Sequence, residues 1–266
     1  MSIVGAPLSS RRIMITRPDN QSGDFEFLLR ENGAETVSFP LISIAEPESW
    51  DPLDKSIQRI GEYDWLVFTS VNGVSFFEQR VNFLDKKEDL LSSECKVLSI
   101  GPVTSKAIKD SLQKKVFGCP QDYTSEGIVD FLKDMEIASD SFLLPRAAVS
   151  REFLPEELKL RGAKVDVVPA YQTKFVKFPA NSPFFDLLYE GKIDMVTFLS
   201  SSTVNAFVNC FGEEELKEIC EKIHFACIGP ITADTLIEKG LPLSVESDVS
   251  TSAGLTNKIV EFYHGS

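Results

Sequence analysis

Apolar residues in this chain fall in short runs, separated by stretches with helical spacing. Arg12–Thr16 contains Ile-Met-Ile and predicts a first strand. Asp24–Asn32 places Phe25, Leu28 and Leu29 on one helical face and stops at Gly33. Thr36–Ile44 predicts a second strand interrupted by Pro40, and Pro52–Ile60 a helix. Asp64–Thr69 is apolar at every central position, the pattern of a parallel strand covered on both faces. A long helix is expected from Ser70 to about Leu91. It is followed by the apolar run Val97–Ser99, a short strand at Lys115–Phe117 and a helix from Thr124 to near Met135.

The same order then begins again. Phe142–Leu144 predicts a strand, Arg151–Leu160 a helix stopped by Gly162, and Lys164–Thr173 a strand interrupted by Pro169. Asp194–Leu199 predicts a strand entering Ser200-Ser201-Ser202, and a last helix opens at Thr251-Ser252-Ala253-Gly254. The repetition extends to motifs. Ile100-Gly101-Pro102-Val103-Thr104 returns 128 residues later as Ile228-Gly229-Pro230-Ile231-Thr232. Arg17 and Gly33 match Arg146 and Gly162 at a spacing of 129, Ser70 and Phe77 match Ser200 and Phe207 at 130, and Thr124-Ser125-x-Gly127 matches Thr251-Ser252-x-Gly254 at 127. Spacings this constant indicate two related units rather than a short-period solenoid. Alternating strands and helices imply parallel sheets with helices on both faces, whose ligands bind beyond the carboxyl ends of the strands.

Composition narrows the function classes. With 266 residues and 43% apolar content the chain can bury two ordinary cores. Its net charge of −13 argues against nucleic-acid binding. Five cysteines without C-x-x-C spacing, and only two histidines, point to reduced thiols and give no zinc pattern. No run approaches a membrane span, and Met1–Arg12 lacks the apolar stretch of a signal peptide. The expectation is a cytoplasmic protein without metal or cofactor.

The candidate chemistry clusters at the repeated turns. A strand passing through Gly-Pro into a helix leaves backbone N–H groups that favour anions, and a first-turn hydroxyl can cap such a helix. Ser70, Asn72, Gly101, Thr104, Ser125, Gly127, Ser200, Ser201, Gly229 and Thr232 are therefore candidates both for capping and for ligand binding. Arg17 and Arg146, each just after the first strand of its repeat, can bind a carboxylate or simply be loop charges. Tyr171 stands opposite Ile42 when Pro169 is aligned with Pro40, so one repeat carries a phenol that the other lacks. It reads as a core tyrosine or as the chemical group of a symmetric frame. Nucleotide-binding glycine patterns are absent.

These residues together resemble the uroporphyrinogen-III synthase family over most of the chain, from about Ile13 to Tyr263. The resemblance rests on Phe68-Thr69-Ser70-x-Asn72-Gly73-Val74, Ile100-Gly101-Pro102-x-Thr104, Ser125-Glu126-Gly127 and Arg151-x-x-Leu154. Tyr171-Gln172-Thr173, Phe198-x-Ser200, Ile228-Gly229-Pro230-x-Thr232-Ala233 and the final Pro242 segment complete it. Ser200-Ser201-Ser202 and Leu143–Ala147 lack the family's usual glycine or proline, and the first eleven residues have no counterpart. It implies two flavodoxin-like α/β domains joined by a two-stranded linker, with a cleft between them. Residues 1–40 and 174–266 would form one domain and 41–173 the other, whereas the repeat alone would cut near Ser139. The implied function is monomeric, cofactor-free cyclisation of hydroxymethylbilane to uroporphyrinogen III, with Tyr171 as general acid and Arg151 joining the turn residues in binding substrate carboxylates. Two other readings are a two-domain glycosyltransferase, which would need a nucleotide-diphosphate site, and a small-anion binding protein of the periplasmic type, which would need an export signal.

Overall fold

The computed structural model describes residues 6–264. The described residues form eleven strands and twelve α-helices, beginning with β1 Arg12–Ile15, α1 Asp19–Glu31, β2 Glu35–Ser38, β3 Ile42–Ala45, α2 Asp51–Gln58, β4 Trp65–Phe68, α3 Val71–Phe83, α4 Lys87–Ser92, β5 Lys96–Ser99, α5 Pro102–Ala107, β6 Val116–Gly118 and α6 Ser125–Leu132. The second half continues with β7 Ser141–Ala147, α7 Phe153–Leu160, β8 Lys164–Phe175, α8 Pro183–Tyr189, β9 Met195–Phe198, α9 Ser201–Val208, α10 Glu213–Cys220, β10 His224–Cys227, α11 Pro230–Glu238, β11 Val245–Glu246 and α12 Ser252–His264. Two differences from the sequence pattern have local causes. The long helix expected to reach Leu91 breaks into α3 and α4, where Asp85 takes a left-handed φ of 54°. Pro40 separates β2 from β3, which join different sheets, whereas β8 runs unbroken through Pro169.

The chain folds into two compact units. One contains the chain up to Ser43 together with the part from Lys174 onward, and the other is Ile44–Thr173. The first holds a five-stranded sheet in the order β11-β10-β9-β1-β2, the second a six-stranded sheet in the order β3-β8-β7-β4-β5-β6. Apart from β3, both orders follow one scheme, with β1, β2, β9, β10 and β11 corresponding to β7, β8, β4, β5 and β6. This is the flavodoxin-type doubly wound order. Each unit therefore takes two adjacent strands from one sequence repeat and three from the other. The exchange occurs along β3 and β8. Val176 N donates to Leu41 O at 2.9 Å and Gln172 Nε2 to Glu46 O at 2.7 Å, so these two segments run in opposite directions.

Period-two side-chain alternation explains why the strands read as continuous apolar runs. In β1, Ile13 and Ile15 join Phe25, Leu29, Leu255 and Ile259 on one face, while Met14 joins Phe184, Val204 and Phe207 on the other. In β4, Trp65 and Val67 pack with Ile128, Leu132 and Leu158, while Leu66 and Phe68 pack with Val74, Phe77 and Ile108. Phe68 and Phe198 are equivalent and fully buried. Replacing either with alanine is expected to cost ~3–5 kcal/mol in its own unit, measured by denaturant unfolding. A loss below ~1 kcal/mol at both positions would contradict this packing.

Candidate active site

Every strand that feeds a helix delivers its turn residues to the carboxyl edge of its sheet. In the unit containing Ile44–Thr173, Ser70 is the N-cap of α3, and its Oγ accepts from Gly73 N at 3.0 Å. Gly73 has to be a glycine because a Cβ there would lie 2.9 Å from Pro145 O at the end of β7. Thr124 caps α6 and Thr251 makes the equivalent contact at α12, with Gly127 N and Gly254 N donating to their Oγ1 atoms at 3.0 Å. A Cβ at Gly127 would lie 2.1 Å from Asp122 O, and one at Gly254 2.5 Å from Val249 O.

The structure also brings the two repeated motifs together within each unit. Gly101 lies against the Tyr123 ring, a Cβ there being 3.3 Å from Cγ, and Gly229 lies against Ser250, with a corresponding 2.6 Å to Oγ. The Gly-Pro turn thus rests on the loop that leads into Thr-Ser-x-Gly. One expectation needs correcting. Thr104 and Thr232 are buried in the first turns of α5 and α11 but cap neither helix, because the N-cap positions are Gly101 and Gly229.

The remaining candidates divide into held and exposed groups. Arg146 is buried, with one guanidinium nitrogen donating to Arg151 O at 2.6 Å and another paired to Glu152. Arg17 is half-buried, and desolvation pulls its pKa below the ordinary arginine value. Arg151 is exposed and pairs with Glu126 at 2.8 Å. Desolvation opposes the Glu126 charge, but its own backbone N–H, Arg151 and the Thr124 hydroxyl together hold its carboxyl below the usual range. Ser125 follows the cap of α6 as the first helical residue. Ser200 is the N-cap of α9, but its Oγ meets Ser202 Oγ at 2.9 Å rather than a backbone N–H. Ser201 Oγ donates to Ile231 O at 3.2 Å and accepts from Thr235 Oγ1 at 2.7 Å, tying α9 to α11.

Tyr171 is the point where the two units diverge chemically. Pairing of β7 with β8 slips between Arg146 and Ala147: Arg146 faces Pro169, but Ala147 faces Tyr171. The extra residue turns Ala170 and Tyr171 into the same core cluster, where strict alternation would separate them. The Tyr171 hydroxyl lies 3.1 Å from Ser70 Oγ and is hydrogen-bonded by the Asn72 side chain, while its ring stacks on Phe76 with centroids 5.8 Å apart. Burial raises the Tyr171 pKa, and the bonds from Ser70 and Asn72 only partly oppose that rise. The phenol is therefore a neutral proton donor at ordinary pH. Sequence spacing missed both the slip and Phe76. The one available signal was that Phe76, like Tyr171, has no aromatic counterpart, since Ala206 stands 130 residues on.

The family described as "Uroporphyrinogen-III synthase HemD" matches residues 24–257. The chain belongs to the uroporphyrinogen-III synthase family. Uroporphyrinogen-III synthase of Synechococcus elongatus is 29% identical over 94% of this chain and 94% of its own length. A crystal structure of a mutant uroporphyrinogen III synthase from the extreme thermophile Thermus thermophilus superposes with a TM-score of 0.69 at 14% identity, covering 96% of this chain and all of that one. The uroporphyrinogen-III synthetase of Helicobacter pylori gives 0.64 at 18% identity, over 94% and 99%. As a uroporphyrinogen-III synthase family member, the chain is an enzyme of tetrapyrrole biosynthesis, a lyase-type cyclase. That membership displaces the glycosyltransferase and binding-protein readings. Among the described residues no helix is long and apolar enough to cross a membrane, and no cluster of three His, Cys, Asp or Glu residues could hold a metal.

Two measurements test this geometry. Gly127→Ala is expected to destabilise its unit by ~1–3 kcal/mol, because the new Cβ meets backbone rather than a movable side chain. An unchanged urea midpoint would refute that contact. The raised Tyr171 pKa means that the folded state holds this proton more tightly than the unfolded chain, where tyrosine titrates near ~10. Its contribution to stability is complete below that pH and lost as pH rises through the folded value. Tyr171→Phe should therefore flatten the alkaline decline in stability, and an unaltered slope above pH ~10 would refute the assignment.

Proposed function

We propose that this enzyme closes hydroxymethylbilane, a linear tetrapyrrole bearing eight carboxylates, to uroporphyrinogen III with inversion of the terminal ring and release of one water. The observation that carries the reading is the hydrogen bonding of Tyr171. Ser70 Oγ accepts from Gly73 N, so its own proton is free to go to the Tyr171 oxygen, and Asn72 bonds the same oxygen. With Ser70 and Asn72 donating to its oxygen in this reading, the phenol is left with its proton to give. It protonates the departing hydroxymethyl oxygen, which leaves as water and generates an azafulvene. The substituted carbon of the terminal ring then attacks the azafulvene carbon to form a spiro intermediate. The bond between the spiro carbon and the bridging methylene of the neighbouring ring then breaks. That methylene bonds instead to the terminal ring's unsubstituted α-carbon, which inverts the ring. Loss of the proton on that α-carbon restores the pyrrole and returns a proton to the phenolate. General acid catalysis of this kind supplies ~10²–10⁴-fold, and holding the chain ends for spiro closure can supply more.

The net charge of −13 repels a polyanion at long range, so recognition falls to local donors. Arg17, Arg151 and the backbone N–H groups at the starts of α3, α9 and α11 are the groups we assign to the substrate carboxylates, and Arg146 supports them from within its own unit. In this reading the domains are residues 1–40 with 174–266 and residues 41–173. The same reading has the enzyme acting as a cytoplasmic monomer without cofactor, in keeping with five unbridged cysteines.

The test supplies freshly prepared hydroxymethylbilane and resolves the type III from the type I product. Type III product is expected from the native enzyme. Type I product alone, at the spontaneous rate, would sink the proposal. Tyr171→Phe should lower kcat by ~10²-fold or more while shifting stability by no more than ~1 kcal/mol. Full turnover in that variant would remove the phenol from the mechanism.

A further inference from the structure

Tyr171 is one end of a longer arrangement. Its ring stacks on Phe76 of α3 at 5.8 Å with 19° between the planes, and Phe76 lies 6.3 Å and 33° from Trp50, just ahead of α2. The Arg80 guanidinium sits 5.1 Å from the Trp50 ring and 4.1 Å from that of Phe83. Two of its nitrogens go to one carboxylate: Nε pairs with Asp54 Oδ1, and Nη2 donates to Asp54 Oδ2 at 2.6 Å. Arg80 and Asp54 are 14% and 17% exposed, so their pairing loses little to solvent screening. Three rings on β8, α3 and the approach to α2 thus lie in a row, Tyr171 stacked on Phe76 and Phe76 tilted against Trp50, and the row is closed by a fixed cation.

This row breaks the duplication. Phe77 has its equivalent in Phe207, and both serve their cores. Phe76 instead corresponds to the buried Ala206, and Tyr171 to Ile42. The Phe76–Tyr171 pair therefore exists in the unit that carries the phenol and is missing at the equivalent positions of the other. A purely structural filler gives no reason for that coincidence. The location gives one. Tyr171 lies near the end of β8, where the chain leaves its unit, with Gln172 bonded to Glu46 O on the neighbouring segment. Its hydroxyl is at the far end of the ring, so any tilt about Cβ is magnified at the atom that must meet both Ser70 and the substrate.

We propose that Phe76 and Trp50 are positioning residues for Tyr171, their rings clamped by Arg80 on Asp54 so that the phenol stays on Ser70. The inference rests on the reading of Tyr171 as the proton donor, but its physical content, the orientation of that ring, can be measured without turnover.

The experiment compares Phe76→Leu with Phe76→Tyr, which retains the ring, each with and without Tyr171→Phe. Subtracting the alkaline absorbance titration of the Tyr171→Phe partner isolates Tyr171 in each background. Phe76→Leu is expected to move the Tyr171 ionisation to lower pH by admitting water, and Phe76→Tyr to restore it. In the assay, Phe76→Leu should lower kcat about tenfold or more with KM within about twofold, since misplacing a reacting group by ~1 Å costs ~10²-fold. Phe76→Tyr should recover most of the loss. Phe76→Leu should add little to a Tyr171→Phe enzyme, because the two act through one atom. An unchanged Tyr171 titration in Phe76→Leu, or an equal kcat loss in both backgrounds, overturns the proposal. If Tyr171→Phe itself keeps full turnover, the proton-donor reading falls, and the titration alone then decides whether the stack positions the ring. Trp50→Leu provides a second variant, with the same titration shift expected and the same result overturning it.

Discussion

Burial of both faces of each parallel sheet is the constraint on which the rest of this structure depends. Met14 and Ile15 are neighbours in sequence, yet each is fully buried in a different cluster, and the same is true of Leu66 and Val67. A strand enclosed in this way can only be followed by a crossover that packs back over the sheet, so each helix begins at the same edge. Polar groups have nowhere to collect in the two layers of apolar packing. They collect at the carboxyl edge, where Ser70, Gly101, Thr124, Ser200, Gly229 and Thr251 all lie.

The duplicated sequence is resolved by an exchange rather than by two independent folds. β1 and β2 complete a sheet whose other strands come from the second repeat, and β7 and β8 complete the sheet begun by the first. Both sheets end with the same strand order because the exchanged pairs are equivalent. The cost falls on the connecting segments, Leu41–Glu46 and Gln172–Val176, which must satisfy their backbone groups against each other on the way. Tyr171 immediately precedes one of these segments, within the unit Ile44–Thr173.

Within this frame the repeated glycines are steric requirements before they are binding features. Gly127 and Gly254 admit a carbonyl oxygen of the preceding loop, and Gly101 and Gly229 admit the side chains of Tyr123 and Ser250. The repetition that first suggested ligand contacts therefore has a packing explanation at Gly127 and Gly254, where a Cβ would meet backbone oxygen. The hydroxyls differ more between units than the glycines do. Ser70 caps its helix and meets Tyr171, whereas Ser200 turns to Ser202. A symmetric scaffold holds an asymmetric set of donors, as the closure of an asymmetric substrate requires.

The sequence by itself determined the α/β class, the duplication and the edge at which the polar turns gather, because apolar runs, stop glycines and motif spacing are local and regular. It also singled out Tyr171 by the absence of a partner at Ile42. It could not decide that Thr104 and Thr232 leave their helices uncapped, because the N-cap register moves by a residue or two without disturbing the pattern. Nor could it bring Phe76 to Tyr171 or Trp50 and Arg80 to one another, since each of these contacts joins separate elements of the chain. The slip between β7 and β8 belongs to the tertiary structure alone. One unpaired residue in a ladder leaves no signature in composition or period, yet it decides which face of the strand carries the phenol.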